Sequence, residues 1–246
     1  MQFVQGLPKG VFVGQTRVKH PKTLPAQKRE LEGFNLALHV QDDAQRVQQH
    51  RMRLLDDLAE YGVSKVTWMT QTHSTICHTI NDDMTFDALE GDGLVTQSTG
   101  HALMMMTADC LPVVLGNAEG TEVANLHAGW KGLANGIIEN TISSMKTKAT
   151  WAWMGAAISQ PCFEVGAEVK QIFCDKYPEL EVAFEHGKID GKFQADLYAI
   201  ATFILKQQGV ELILGGGQCS YTQADQYFSY RRHAQTGRMA TYVFIQ

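Results

Sequence analysis

Three short stretches put reactive side chains beside turn-prone residues: Gln71-Thr72-His73-Ser74, Ala108-Asp109-Cys110-Leu111-Pro112 and His127-Ala128-Gly129-Trp130-Lys131-Gly132. Each adjoins a β-rich run, so a rigid strand would hold the side chain while the turn leaves it accessible. His73, Cys110 and His127 make a chemically coherent trio. Two neutral imidazoles and a thiolate suit Zn²⁺, and three protein ligands leave a fourth position for water or substrate. Structural zinc sites normally close with four ligands, so a site of this kind is catalytic in type. The spacing matches no local metal motif, and convergence has to come from the fold. Other assignments compete. Taken singly, His73 or His127 fits a hydrogen-bonded loop or core histidine, and Cys110 a small buried hydrophobe. A metal-free pair is a third reading, with His127 deprotonating Cys110 for acyl transfer. Asp109 is a poor choice to orient a histidine, because neighbours on a strand point to opposite faces.

The elements that must position these residues follow from apolar spacing. Asp42 or Asp43 can cap a helix running to about Tyr61, with Val47, Leu54, Leu55, Leu58 and Tyr61 on one stripe and Gly62 as its stop. Leu133, Ile137, Ile138, Ile142 and Met145 predict a second helix. Val165, Val169, Ile172 and Phe173 predict a third, ended by Tyr177-Pro178. Leu197, Ile200, Ala201, Ile204 and Leu205 predict a fourth, stopped at Gly209. Between them lie β-rich runs at Val66–Met69, Thr75–Ile80, Leu103–Thr107, Pro112–Leu115, Val123–His127, Trp151–Gly155, Leu212–Leu214 and Met239–Ile245. Several strands separate successive helices, which favours a mixed α+β domain over a doubly wound sheet. One domain over residues 1–246 is expected.

Composition removes several function classes. The 246 residues are 44% hydrophobic and 19% charged, so the chain is globular rather than disordered. Against 21 basic residues stand 26 acidic ones, a net charge of −5 that argues against a nucleic-acid backbone binder. No apolar run is long enough for a membrane helix, and MQFVQGLPKG lacks the build of a secretory signal. Five cysteines without a CxxC pair fit a reducing cytoplasm better than a disulfide scaffold.

The three stretches, in this order, resemble the multicopper polyphenol oxidase or laccase-domain family, more recently described as purine nucleoside phosphorylases. QTHS resembles its Q-x-H-G/S segment, TADCLPV its T-A-D-C-x-P segment and HAGWKG its H-A-G-W-R/K-G segment. Supporting pieces are Asn35-Leu36-Ala37-Leu38-His39-Val40, the Arg51 helix, Asp92-Gly93-Leu94-Val95-Thr96, Gly155-Ala156-Ala157-Ile158, Phe163-Glu164-Val165-Gly166, Phe228-Ser229-Tyr230-Arg231-Arg232 and Thr236-Gly237-Arg238. The resemblance implies a YfiH-like α+β sandwich flanked by helices and a metal triad of His73, Cys110 and His127. It implies phosphorolysis of adenosine, guanosine, inosine or methylthioadenosine, with inorganic phosphate as co-substrate, and hydrolytic deamination of adenosine. Asn35 and His39 gain a place near the pocket. Arg51 becomes the first choice for a phosphate clamp, with Arg231 or Arg232 behind it. Two departures stand out: Arg17 is followed by Val18-Lys19-His20-Pro21 instead of a Gly-Gly-x-Ser run, and His233 instead of an acid follows Arg232.

Copper competes well for N/S ligands, so copper-dependent phenol oxidation is expected to be adventitious. A multicopper laccase needs many imidazoles, often in HxH pairs, whereas this chain has nine histidines and no such pair. The rival enzyme class is a metal-free Cys–His hydrolase or amidase, including a cell-wall precursor editing role. A small-molecule sensor is the non-enzymatic alternative. Met104-Met105-Met106 reads as a buried strand rather than thioether ligands, and Gly215-Gly216-Gly217 as a turn rather than a phosphate loop. Trp130 could stack on a base or simply wall the pocket.

Overall fold

The computed structural model describes residues 1–81 and 89–246. In chain order its strands and longer helices begin with β1 (Val11–Gln15), α1 (Ala44–Ala59), β2 (Lys65–Thr67), β3 (Cys77–Ile80), β4 (Gly93–Thr96) and β5 (His101–Thr107). Next come β6 (Leu111–Gly116), β7 (Val123–Ala128), α2 (Trp130–Asn135), α3 (Ile137–Ser144) and β8 (Trp151–Met154). The chain continues through β9 (Glu164–Gly166), α4 (Ala167–Lys176), β10 (Phe184–His186), β11 (Lys192–Ala195), α5 (Leu197–Gln207), β12 (Leu212–Gly215) and β13 (Met239–Ile245).

Two mixed sheets pack face to face, one ordered β1-β13-β5-β2 and the other β12-β8-β6-β7-β4-β3. Val13, Leu103, Met105 and Val243 from the first meet Ile80, Leu94, Val114 and Val123 from the second in one apolar cluster. The alternate residues of β5, Ala102 and Met104, face the other way and pack with Leu54 and Leu58 of α1. The outer face of the six-stranded sheet is covered by Leu133, Ile138, Val169, Phe173, Ile200 and Ile204 from α2 to α5. This helix–sheet–sheet–helix layering buries both faces of the central strands, so their sequences are continuously apolar instead of alternating. The mixed α+β class that the patterning predicts, and the sandwich that the resemblance implies, are therefore the observed fold. One polar residue crosses it: Asn125 of β7 donates from Nδ2 to the carbonyls of Leu103 and Thr241, both at 2.9 Å.

Asp43 is the cap of α1, accepting from the Arg46 N–H at 2.7 Å. Other elements differ from their sequence patterns. The helix expected over Leu133–Met145 is two helices, because Gly136 adopts a left-handed φ of 97° and ends α2. Val165 lies in β9, paired with Phe193, rather than in the third helix. Its apolar stripe continues a helical period, but the helix starts only at Ala167, beyond Gly166. Strands β1, β4, β9, β10 and β11 lie outside the β-rich runs that the sequence marks, and β9 to β11 are only three or four residues long.

Candidate metal centre

The site is assembled where β6 and β7 pair and the loop after β2 folds over them. Cys110 immediately precedes β6, and His127 lies within β7, opposite Pro112 in the register. His73 comes from the loop, where it holds a left-handed φ of 59° that a non-glycine residue rarely adopts. One ligand atom from each of the three lies within 4.8 Å of the others. The Cys110 sulfur is 3.8 Å from His73 Nε2, and the two imidazole rings are 4.7 Å apart at their centroids. Tetrahedral zinc, with bonds of about 2.1 Å to nitrogen and 2.3 Å to sulfur, places such atoms roughly 3.5 Å apart. The donor set and spacing therefore fit a metal ion. Gly129 makes the approach possible, because a Cβ there would lie 3.0 Å from the Cys110 sulfur and 3.2 Å from His73 Cδ2.

Asp92, immediately before β4, ties the centre together. Its side chain is fully buried and accepts from His127 Nδ1 at 2.7 Å, so the other imidazole nitrogen faces Cys110. Its second oxygen accepts from the Ser74 N–H at 2.6 Å, the Ser74 hydroxyl at 2.8 Å and the Thr72 N–H at 3.2 Å. One carboxylate thus fixes the tautomer of one histidine and the loop carrying the other. Burial opposes its charge, but the His127 and Ser74 donors outweigh that and lower its pKa to about 2. Burial also opposes charge on Cys110 and His127. Their mutual attraction prevails, lowering the thiol to about 6 and raising the imidazole to about 9, with His73 aiding the thiolate and Asp92 the imidazolium.

Asp109 points away from the centre, as its place next to Cys110 predicts. Its carboxylate accepts from the Ser220 hydroxyl and the Arg231 N–H, each at 2.6 Å, and these contacts hold its left-handed φ of 91°. Asn35 is buried with its amide committed to Ala37, Asp42 and the Arg238 N–H. His39 is exposed beside Arg238 and Arg51; partial burial, then those two charges, lower its pKa. Arg51 donates from Nε to the Leu36 carbonyl at 2.8 Å and lies over Trp68, with its other end near the Met106 sulfur. Arg231 donates to the carbonyls of Cys162 and Glu164, and Arg232 to those of Ser220, Tyr221 and Tyr227. Both guanidiniums are therefore engaged in holding backbone. Two residues to which sequence reasoning gave no role belong to the site. Asp92 stood only within the Asp92–Thr96 segment, and Arg238, half-buried and close enough to interact electrostatically with Cys110, only within Thr236-Gly237-Arg238.

The family model for the multi-copper polyphenol oxidoreductase laccase matches residues 22–246. Purine nucleoside phosphorylase YfiH of Shigella flexneri is 37% identical over 243 residues, covering 97% of this chain and 96% of that protein. Adenosine deaminase RL5, from an unknown prokaryotic organism, is 33% identical over 228 residues, covering 86% and 87%. The crystal structure of Neisseria meningitidis protein NMB0706 superposes with a TM-score of 0.90 at 36% identity, covering 100% of this chain and 98% of that one.

Proposed function

The chain belongs to the multi-copper polyphenol oxidoreductase laccase family, and from that membership we propose that it is a zinc-dependent enzyme of purine nucleosides. Its reactions are phosphorolysis of adenosine, guanosine, inosine and methylthioadenosine, and hydrolytic deamination of adenosine. The observation that carries this reading is the convergence of His73, Cys110 and His127 with a carboxylate behind one imidazole. The names of relatives at 33–37% identity, a purine nucleoside phosphorylase and an adenosine deaminase, support the substrate class.

His73, Cys110 and His127 are the residues that would hold the ion. When bound, zinc supplies a Lewis-acidic centre that polarises a water or an oxygen of the substrate. Asp92 keeps the Nδ1 proton of His127 in place and so leaves the other nitrogen free for ligation. On the Arg238 side, the Arg51 and Arg238 guanidiniums gather positive charge beside His39, whose own ionisation they oppose. A guanidinium fork there can orient phosphate toward C1′ of the sugar and hold its negative charge against the oxocarbenium-like carbon. Arg51 remains the first choice for that clamp, now with Arg238 beside it.

The low Cys110 pKa and the neighbouring His127 also favour a second reading, a metal-free thiol hydrolase. A multicopper oxidase centre is less well supported, because among the described residues only one His/Cys cluster of this kind occurs. Metal analysis of protein purified without added metal, followed by a nucleoside panel with and without phosphate, tests the proposal. Stoichiometric zinc with phosphate-dependent release of free base is expected. An active metal-free protein that leaves every nucleoside intact would overturn it in favour of the hydrolase.

A further inference from the structure

Away from the metal centre, a second sulfur sits in a shell of donors. Cys219 is buried in the segment after β12 and forms a bridge with Ala157. Ser159 donates to its sulfur from both the hydroxyl, at 3.0 Å, and the N–H, at 3.5 Å. Thr222 stands near the same sulfur and also favours its charge. Two Ser159 donors on one sulfur favour its thiolate. Burial opposes that charge, yet the donors prevail and lower the thiol to about 7.

The partner is supplied by the same turn that supplies the donors. Ser159 precedes a single 3-10 turn, Gln160–Cys162, closed by the Cys162 N–H donating to the Ser159 carbonyl at 2.9 Å. That turn sets Cys162 beside Ser159, the residue that holds the Cys219 sulfur, and within the electrostatic reach of Cys219. Burial and then the neighbouring Cys219 charge push the Cys162 thiol up, so it stays protonated while Cys219 ionises. A thiolate poised beside a protonated thiol is the arrangement of an attacking and a resolving cysteine. The metal-centred reactions use neither residue.

We propose that Cys219 and Cys162 are a peroxide-responsive thiol pair that closes to a disulfide, a modification site separate from the metal triad. The Cys219 thiolate attacks one oxygen of hydrogen peroxide. An S–O bond forms, the O–O bond breaks, and the leaving hydroxide takes up a proton as water, so Cys219 becomes a sulfenic acid. Cys162 then attacks the Cys219 sulfur. The S–S bond forms, the S–O bond breaks, and the hydroxyl leaves with the Cys162 proton as a second water. The two cysteines together lose two electrons and two protons, and the peroxide is reduced to two waters.

The test treats the zinc-loaded protein with a slight excess of hydrogen peroxide, then alkylates it in denaturant and maps the peptides. The expected result is a fall from five free thiols to three, with one linked peptide joining Cys162 to Cys219 that dithiothreitol releases. In Cys162→Ser, dimedone should trap a sulfenic acid at Cys219; in Cys219→Ser, Cys162 should stay free to alkylate. The wild-type peptide map stands even if a variant folds poorly. Retention of all five thiols, a linkage between other cysteines, or unchanged oxidation of Cys162 in Cys219→Ser would overturn the proposal.

Discussion

Replacing Asp92 with Asn is nearly isosteric but cannot satisfy the contacts that the carboxylate makes. If the remaining oxygen stays toward Ser74 and Thr72, the new NH2 meets His127 Nδ1. The imidazole must then accept there and carry its proton on the nitrogen facing Cys110, which removes it as a ligand. If the amide is turned round, the NH2 confronts the Ser74 N–H and a buried donor loses its acceptor. Loss of the partner behind a metal-bound histidine typically weakens metal affinity about 10- to 100-fold. Stability should fall as well. A pKa of about 2 for Asp92, set against an unfolded value of about 3.9, corresponds to roughly 2.5 kcal/mol at neutral pH. Because the folded pKa is depressed, that contribution is fully present above about pH 4 and lost as the pH falls toward 2. Asp92→Asn should remove both the contribution and its acid dependence. Competition against a chromogenic zinc chelator and urea unfolding at pH 7 and pH 3 measure the two effects. A folded variant with wild-type zinc affinity and the wild-type acid profile would refute this account of Asp92.

The remaining predictions concern the ligands, their spacing and the phosphate. Cys110→Ala should abolish phosphorolysis and deamination together; retention of either at the wild-type rate rules out a shared centre. Gly129→Ala keeps an allowed backbone, with φ at −66°, yet crowds the sulfur and His73, so zinc affinity should drop while the circular dichroism spectrum stays unchanged. Arg51→Lys should slow phosphorolysis about 10- to 100-fold and spare deamination, because an ammonium cannot replace a guanidinium fork. Equal loss of both activities would instead make Arg51 a wall of the pocket. Free zinc at about 100 times its Kd should stabilise the protein by about 2.7 kcal/mol, which a chelator removes in thermal melts.

The candidate trio His73, Cys110 and His127, which the fold brings together, was legible because the chemistry resides in the residue types themselves, and strand-adjacent turns are where such side chains become available. Its support was not. Asp92 is joined to His127 across a β4–β7 pairing, and no local pattern marks a carboxylate that acts through space. The layered α+β architecture was readable from runs of strands between helices, whereas element ends were not. Apolar spacing runs straight across Gly136 and across Gly166, and only the backbone shows the break at each. The arginines divide for a similar reason. Arg231 and Arg232 look as available in the sequence as Arg51, but the fold commits both terminal nitrogens of each to carbonyls, whereas Arg51 gives only its Nε to one.

Strand β13 lies in the middle of its sheet, hydrogen-bonded to β1 on one side and to β5 on the other. A chain made from its first residue onward must therefore hold β1 and β5 apart until Met239–Ile245 has been synthesised. At about 5–20 residues per second, that interval is on the order of ten seconds or longer. Throughout it, the Leu103–Met106 segment, buried on both faces in the finished sandwich, has an open edge and an uncovered side. The nascent chain is thus exposed to intermolecular strand pairing for most of its synthesis, and chaperone protection during translation should matter more to its yield than the stability of the completed fold.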